Sequence, residues 1–262
     1  MKAITVATSA SGYFETLKES ALLHNYELHV LGFGMPWKGF GWRLNTILDY
    51  LKTLPENEIV IVIDAYDVIF LRDSTELEKE FLDLNAKFLC GAFRKLDGIF
   101  GLVQEQEFGK TKHDLEPPYN NICAGTYISR VKTILDIYEK YTIKDDEDDQ
   151  ILLNKIYDIE GENIITPDTG FRIFCTLFPC FINRKIRNED EIVFYDNKLK
   201  SEVTNTFPFV LHGLANTDLY DISKKLGYKN LTNKTTITYI FKKVIYHLKL
   251  IIHLTVGKYF NL

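Results

Sequence analysis

The sequence has few cysteines and no motif that would organise them. Its four cysteines, Cys90, Cys123, Cys175 and Cys180, are scattered along the chain and form no Cys-x-x-Cys pair. This pattern argues against a dense disulfide framework and against a zinc or thiol-redox motif. It is compatible with a reduced compartment and leaves a single disulfide open.

The sequence also lacks an excess of positive charge and a long apolar run. Lys and Arg number 31 against 36 Asp and Glu, giving a net charge of −5. Because nucleic-acid affinity depends on clustered cations, no nucleic-acid partner is predicted. No stretch approaches the roughly 18 uninterrupted apolar residues of a membrane span, and the first apolar segment is too short for a signal-peptide core. The compartment is therefore left open, and the fold is expected to begin at residue 1.

With 15 Gly and 7 Pro, the chain is too poor in both residues to be disordered or collagenous. Instead, helical and strand patterns alternate along it. Strands are predicted for residues 1–8, 27–31, 58–64, 87–93 and 208–213, and helices for residues 12–23, 42–54, 74–84 and 131–141. Residues 121–129 read as a small-residue turn that runs into a short strand. We therefore predict an α/β fold with helices layered on a sheet.

Two carboxylates follow the most apolar strand of the chain. Residues 59–63 are continuously β-branched, as expected for a strand covered on both faces, and Asp64 and Asp67 come next. Ligands of open α/β sheets bind at this carboxyl edge, where a divalent cation could neutralise a leaving diphosphate. The alternative is a turn in which an aspartate caps the next element.

Three further features carry possible chemistry, each with a structural alternative. His212 ends a short strand and is either a neutral nitrogen ligand or a structural histidine. Five consecutive acidic residues, 145–149, are either catalytic or the acidic first turn of a helix. The loop from Trp37 to Arg43 carries aromatic rings that can stack on a base and glycines that permit close approach of a ligand, or it simply packs as core or lid.

Eight segments occur together in one order along the chain, and as a set they are far more specific than any one motif. They are residues 4–8, 25–26 with 30–32, 37–39, 64–69, 120–128, 148–150, 173–174 and 211–213. In this set the chain resembles the glycosyltransferase domain at the N-terminus of the multifunctional procollagen lysyl hydroxylases, over roughly residues 1–225. The dioxygenase half of those enzymes is not in this sequence.

The resemblance implies a GT-A (Rossmann-like) fold, with a mixed sheet flanked by helices. It also implies a UDP-sugar donor, Mn²⁺ with Mg²⁺ as the alternative, and a collagen-like acceptor protein that carries hydroxylysine or its galactosylated form.

The same resemblance assigns roles to single residues. Asp64 and Asp67 match the acidic metal motif, and His212 matches the third metal ligand. Asp148 and Asp149 fall in the acidic stretch near the sugar, as the catalytic candidates. The substrate-binding candidates are Trp37, Lys38 and Gly39 in the donor and acceptor loop, Tyr66 beside the base, Asn121, and Asn216 near the diphosphate.

The chain departs from its relatives at three of these places. The Gly-rich loop after Trp37 is shorter than theirs. Where they read His-Gly-Asn-Gly, this chain has His212 and Gly213 followed by Leu-Ala-Asn, which displaces the asparagine to Asn216. Where they read Ser-Gly-Gly, this chain has Ile122-Cys123-Ala124-Gly125. These departures bear on the donor sugar and the acceptor more than on the metal.

The predicted activity is metal-assisted transfer of a hexose from the UDP-sugar to an acceptor hydroxyl. Asp148 or Asp149 would stabilise positive charge, position the acceptor or act as a base. Retention suits glucosyl transfer onto galactose, and inversion suits galactosyl transfer. The alternative is a non-catalytic UDP-sugar or glycan-binding protein that keeps the fold. An aspartyl-phosphate phosphatase is disfavoured, because it requires an Asp-x-Asp spacing.

The composition changes after Asp221, since lysines continue while acidic residues stop. We divide the chain into a catalytic domain at residues 1–228 and a basic amphipathic helix at residues 229–262. The lysines of this helix fall largely off its apolar face, so it would either dock on the domain or on a twin subunit, or lie on an anionic membrane.

Overall fold

The computed structural model describes residues 1–96, 98–109, 111, 119–178, 192–196, 198–214 and 217–229. Nearly all of the predicted C-terminal helix and Asn216 lie outside these residues. The helices are α1 (Phe14–Leu23), α2 (Phe40–Leu51), α3 (Ser74–Leu84), α4 (Gly98–Phe108), α5 (Val131–Tyr138), α6 (Asp149–Glu160) and α7 (Tyr220–Lys225). Within the described part of the chain, no helix is both long and apolar enough to cross a bilayer.

The strands form one large mixed sheet and two small sheets. They are β1 (Lys2–Val6), β2 (Glu27–Leu31), β3 (Ile59–Ile63), β4 (Val68–Phe70), β5 (Phe88–Arg94), β6 (Tyr119–Arg130), β7 (Ile165–Asp168), β8 (Phe174–Leu177), β9 (Ile192–Tyr195), β10 (Lys198–Ser201) and β11 (Val210–Gly213). The large sheet has the order β2-β1-β3-β6-β5-β7, and the small sheets are β4-β11-β8 and β10-β9. Within the large sheet β6 alone runs antiparallel to its neighbours.

Strand β3 is buried on both faces, as its composition predicts. Val60 and Val62 pack in the core cluster that holds the apolar residues of α2, α5 and α6. Ile59, Ile61 and Ile63 pack on the other face, with residues of α1 and α3. A fully apolar strand is stable only between two such layers. The predicted α/β class with a mixed sheet flanked by helices is therefore confirmed.

Some local predictions are corrected. The segment read as a turn and a short strand, residues 121–129, lies within the twelve-residue strand β6. Its small and polar residues are typical of a turn. It forms a strand because its backbone hydrogen-bonds to β3 on one side and to β5 on the other. The helix predicted for residues 131–141 ends at Tyr138. Helix α3 has the predicted bounds, and its N-cap is Asp73, whose side chain accepts the N–H of Thr75.

Candidate active site

Asp64, Asp67 and His212 converge at the carboxyl end of β3. Each offers one ligand atom, and these atoms all lie within 4.8 Å of one another. His212 Nε2 is 3.4 Å from Asp64 Oδ2 and 3.6 Å from Asp67 Oδ1. The imidazole is completely buried, whereas a third of the Asp64 side chain is exposed. The site therefore has a buried floor and an open side.

The pairing of β4 with β11 brings these residues together, although His212 is far from the aspartates in sequence. Asp67 immediately precedes β4, which runs antiparallel to β11 in a register that places His212 opposite Val68. The Gly213 N–H donates to the Asp67 carbonyl at 2.7 Å. This hydrogen bond holds the His212 strand against the Asp67 turn.

His212 Nε2 is a buried nitrogen that makes no hydrogen bond with any residue that the structure describes, whereas its Nδ1 lies 3.5 Å from the Cys123 Sγ. Burial alone would lower the pKa of His212, but Cys123, Asp64 and Asp67 raise it well above its ordinary value. The two carboxylates thus favour a positive charge at this position. A divalent cation would satisfy the same need with the imidazole neutral.

Arg43 joins the metal candidates to the acidic run. Its guanidinium is buried, and it forms ion pairs of 2.7 Å with Asp64 Oδ1 and with Asp149 Oδ2. Burial alone would lower the pKa of Arg43, but the two carboxylates raise it. For Asp64 the signs are reversed. Burial alone would raise its pKa, but Arg43 and His212 lower it.

The two candidates in the acidic run differ in their surroundings. Asp148 is the N-cap of α6, and its Oδ1 accepts the N–H groups of Gln150 and Ile151 at 2.9 and 3.1 Å. Asp149 is 8% exposed, and burial, opposed by Arg43, raises its pKa to about 6. Asp148 therefore caps α6, whereas the carboxylate of Asp149 lies beside Arg43 and faces the site.

The glycines of the Trp37 loop have a packing reason. A Cβ at Gly39 or at Gly41 would clash with backbone carbonyls of residues 144 and 145, and Gly39 has a φ of 135°. The Trp42 N–H donates to the Asp145 carbonyl at 3.0 Å. The glycines thus let this loop lie directly against the acidic run.

The remaining substrate candidates lie around the same edge. Trp37 is 45% exposed and contacts Phe40 and Trp42 edge to face, and Lys38 beside it is exposed. The Tyr66 hydroxyl accepts the backbone N–H of Thr8 at 3.0 Å, which fixes the ring beside the end of β1. Asn121 lies on β6, and its Nδ2 is buried without a hydrogen bond in the described part of the chain.

Sequence reasoning missed Arg43, Cys123 and Gln150 as parts of the site. Arg43 had a signal, because it occupies the same face of α2 as Ile47, four residues later, in an otherwise apolar stripe. A charge on a buried helix face requires partners. Cys123 and Gln150 had none, since their contacts come from pairings between distant segments.

A model of a protein family described as the PLOD GT domain matches residues 1–233 of the chain. The human protein "Multifunctional procollagen lysine hydroxylase and glycosyltransferase LH3" is 28% identical over 235 residues, which covers 82% of this chain and 30% of that protein. "Procollagen-lysine,2-oxoglutarate 5-dioxygenase 1" of Gallus gallus gives the same values. "Uncharacterized protein R699" of Acanthamoeba polyphaga mimivirus is 25% identical over 202 residues, covering 72% of this chain and 40% of that one. The chain thus spans less than half the length of these relatives.

Solved structures resemble the chain at low similarity. The galactosyltransferase LgtC in complex with donor and acceptor sugar analogs is 15% identical, with a TM-score of 0.40 and coverage of 89% of this chain and 98% of that one. Mouse xyloside xylosyltransferase 1 is 11% identical, with a TM-score of 0.38 and coverage of 83% and 99%.

The family match is independent of these structures and covers the whole site described above, from Trp37 to His212. Because it spans 233 of the 262 residues, the chain belongs to the family of PLOD glycosyltransferase domains and is a glycosyltransferase.

Proposed function

We propose that this glycosyltransferase transfers a hexose from a UDP-sugar to a hydroxyl group of a collagen-like protein. The acceptor would be hydroxylysine or galactosyl-hydroxylysine, and the reaction would depend on Mn²⁺, with Mg²⁺ as the alternative. The family and the names of the relatives support the acceptor class. The domain at residues 1–228 would carry this activity, and residues 229–262 would form the accessory helix that docks on it, on a twin subunit or on a membrane.

The observation that carries the proposal is the convergence of Asp64, Asp67 and His212. Two carboxylates face a buried imidazole nitrogen that makes no hydrogen bond within the described part of the chain. The two carboxylates are hard oxygen ligands of the kind that suits Mn²⁺ and Mg²⁺, and the imidazole adds one nitrogen ligand. A bound divalent ion would supply positive charge against the diphosphate that leaves as UDP.

The protein's own cation beside this site is Arg43. It pairs with one oxygen of Asp64 and leaves the other oxygen, Oδ2, facing His212. Its second pair, with Asp149, fixes that carboxylate at a set distance from the metal candidates. A carboxylate held on the sugar side can stabilise the positive charge that develops on the anomeric carbon.

The loops around this edge would hold the two substrates. Tyr66, fixed by the Thr8 N–H, would lie against the nucleotide base. Trp37 is exposed on a loop packed against the acidic run. Its ring and the neighbouring Lys38 would contact the donor and the acceptor, because an exposed aromatic face can stack on a sugar.

The test is a panel of UDP-sugars with hydroxylysine and galactosyl-hydroxylysine peptides, in which UDP release and peptide mass are both measured. We expect transfer that requires Mn²⁺ and stops with a chelator. Asp67→Ala should remain folded and lose activity by about 100-fold or more, because even outer-shell changes at metal sites cost about 10–100-fold. Asp49→Ala, which removes an exposed aspartate on α2, is the control and should retain activity.

Three outcomes would contradict parts of the proposal. Full Mn²⁺-dependent turnover by Asp67→Ala would remove that residue from the metal site. Transfer to an unrelated hydroxyl compound but to neither peptide would overturn the acceptor class. UDP-sugar binding without any UDP release would favour the non-catalytic binding protein.

A further inference from the structure

Strand β6 carries a bulge at the point where it passes the active site. Its pairing with β5 shifts register, since Cys90 lies opposite Tyr127 but Gly91 lies opposite Cys123. Residues 124–126 therefore have no one-to-one partners on β5. The pairing of β6 with β3 also ends here, at Thr126. A bulge of this kind re-aims side chains at a site but requires its own support.

Gln150 supplies that support from the first turn of α6. Its Oε1 accepts the Ala124 N–H at 2.9 Å, and its Nε2 donates to the Ile122 carbonyl at 3.0 Å. The same Nε2 donates to Asn154 Oδ1 at 3.0 Å, and Asn154 in turn donates to the Phe108 carbonyl. The buried Gln150 amide thus grips the backbone on both sides of Cys123, with its acceptor and both of its donors in use.

The gripped segment packs directly on the metal candidates. The Cys123 Sγ lies 3.5 Å from His212 Nδ1, and Gly125 lies so close that a Cβ there would clash with the Asp64 carboxylate. We infer that Gln150 is a positioning residue, which holds this bulge so that Cys123 and Gly125 fix the orientation of His212 and Asp64. Gln150 directly follows Asp149 in the first turn of α6. This turn therefore positions both the bulge and Asp149. This inference rests on the proposed metal-dependent function.

The residue type matters as well as the contact. Gln150→Glu keeps an acceptor for the Ala124 N–H but replaces the amide donor by an oxygen, which then faces the Ile122 carbonyl and Asn154 Oδ1. Buried acceptors that face each other without a proton are costly. We expect the bulge to open and the buried Cys123 to become accessible.

The chain provides a matched control in Gln104, on α4. Its Oε1 accepts the Leu96 N–H at 2.9 Å and its Nε2 donates to the Arg94 carbonyl at 2.8 Å. This is the same two-point contact with a backbone segment, and Gln104 is also buried, with 2% of its surface exposed against 9% for Gln150. Neither of these two hydrogen bonds involves Asp64, Asp67 or His212, so Gln104→Glu tests the loss of a buried amide by itself.

The experiment compares wild type, Gln150→Glu and Gln104→Glu by three measurements. These are the melting temperature, Mn²⁺ affinity from the electron paramagnetic resonance signal of the free ion, and alkylation of Cys123 without metal, mapped by peptide mass spectrometry against the buried Cys175. We expect both variants to melt earlier. Only Gln150→Glu should bind Mn²⁺ about tenfold more weakly or worse and alkylate Cys123 about tenfold faster relative to Cys175. If Gln150→Glu does not fold, Gln150→Ala, which leaves room for water at the two backbone groups, takes its place.

Unchanged Mn²⁺ affinity and unchanged Cys123 alkylation in the Gln150 variant would overturn the inference, and so would equal changes in the Gln104 variant. A wild type that binds no Mn²⁺ would instead refute the proposed metal site. In that case the alkylation rates, measured without metal, still decide whether Gln150 holds the bulge.

Discussion

Arg43 and Asp149 form a buried ion pair whose energy depends on Asp64 as well. The guanidinium is buried, and its charge is compensated by two carboxylates at 2.7 Å. Removing one partner of such a buried set typically costs about 3–5 kcal/mol, because a charge remains without compensation. The two ion pairs therefore hold Asp149 at the site. Burial raises its pKa to about 6, which is close to neutral pH.

Because the pKa of Asp149 is raised, stability and activity should depend on pH in opposite directions. Because its folded-state pKa of about 6 lies above the ordinary 3.8, the folded protein binds the proton more tightly than the unfolded chain. The contribution of Asp149 to the free energy of unfolding is therefore present at low pH and is lost as the pH rises from about 4 to about 6. Activity should do the reverse, since a carboxylate that stabilises positive charge must be ionised.

We accordingly predict that kcat at saturating Mn²⁺ rises as the pH increases through about 6. Asp149→Asn should lose this step and lower kcat by about 100-fold or more, while KM for the UDP-sugar changes only a few-fold, because the charge acts mainly in the transition state. Steady-state kinetics between about pH 5 and about pH 8 measure this, with UDP affinity by calorimetry. Equal losses of nucleotide affinity and rate would mean that Asp149 acts only as a structural residue at the start of α6.

At the scale of elements, the β6 bulge decides how closely the backbone approaches the metal candidates. Gly125 lies on it with no room for a side chain, because a Cβ would clash with Asp64 and lie 2.7 Å from His212 Cε1. Gly125→Ala should therefore push two of the three candidate ligands apart. We predict at least about a tenfold loss of Mn²⁺ affinity, with a destabilisation of about 1–3 kcal/mol from overpacking.

Gly170→Ala is the control for this prediction, because among the described residues a Cβ at Gly170 meets only the Arg172 Cγ, at 3.7 Å. Metal affinity by titration and melting temperature by calorimetry separate the two effects. If Gly125→Ala retained wild-type Mn²⁺ affinity, the bulge would not define the geometry of the site.

Local pattern predicts the elements whose residues face one layer, and it misses those that depend on distant partners. Strand β3 follows from its β-branched run, and α3 follows from the spacing of Leu77, Phe81 and Leu84. Strand β7 contains Pro167 and is paired through β5 alone, so nothing in its own sequence predicts it. The bulge in β6 arises from pairing with β5, where Gly91 lies opposite Cys123, 32 residues later, and local sequence does not encode that register.

The candidate site divides in the same way. Asp64 and Asp67 were predictable because they follow an apolar strand, where a charge requires a reason. The family resemblance alone grouped them with His212, because the proximity of His212 depends on the register of β11 with β4. The contacts of Gln150 with Ile122 and Ala124 join α6 to β6 and needed the folded structure.

At the scale of the whole molecule, the three metal candidates connect separate parts of the fold. Asp64 follows β3 of the six-stranded sheet, whereas His212 lies on β11 of the three-stranded sheet and Asp67 lies in the turn that leads to β4. In the unfolded chain His212 is far from both aspartates, so a cation that needs all three ligands binds the folded state alone. Metal binding should then stabilise the fold by mass action.

We predict that Mn²⁺ at about 100 times its dissociation constant raises the free energy of unfolding by about 2.7 kcal/mol. For a chain of this size that corresponds to an increase in melting temperature of about 5–10 °C. Calorimetric scans with and without Mn²⁺ measure the shift, which a chelator should reverse. Asp67→Ala should melt at the same temperature in both conditions, while Asp49→Ala should respond as the wild type does. An equal Mn²⁺ shift in Asp67→Ala would mean that the ion stabilises the protein from somewhere other than the junction of the two sheets.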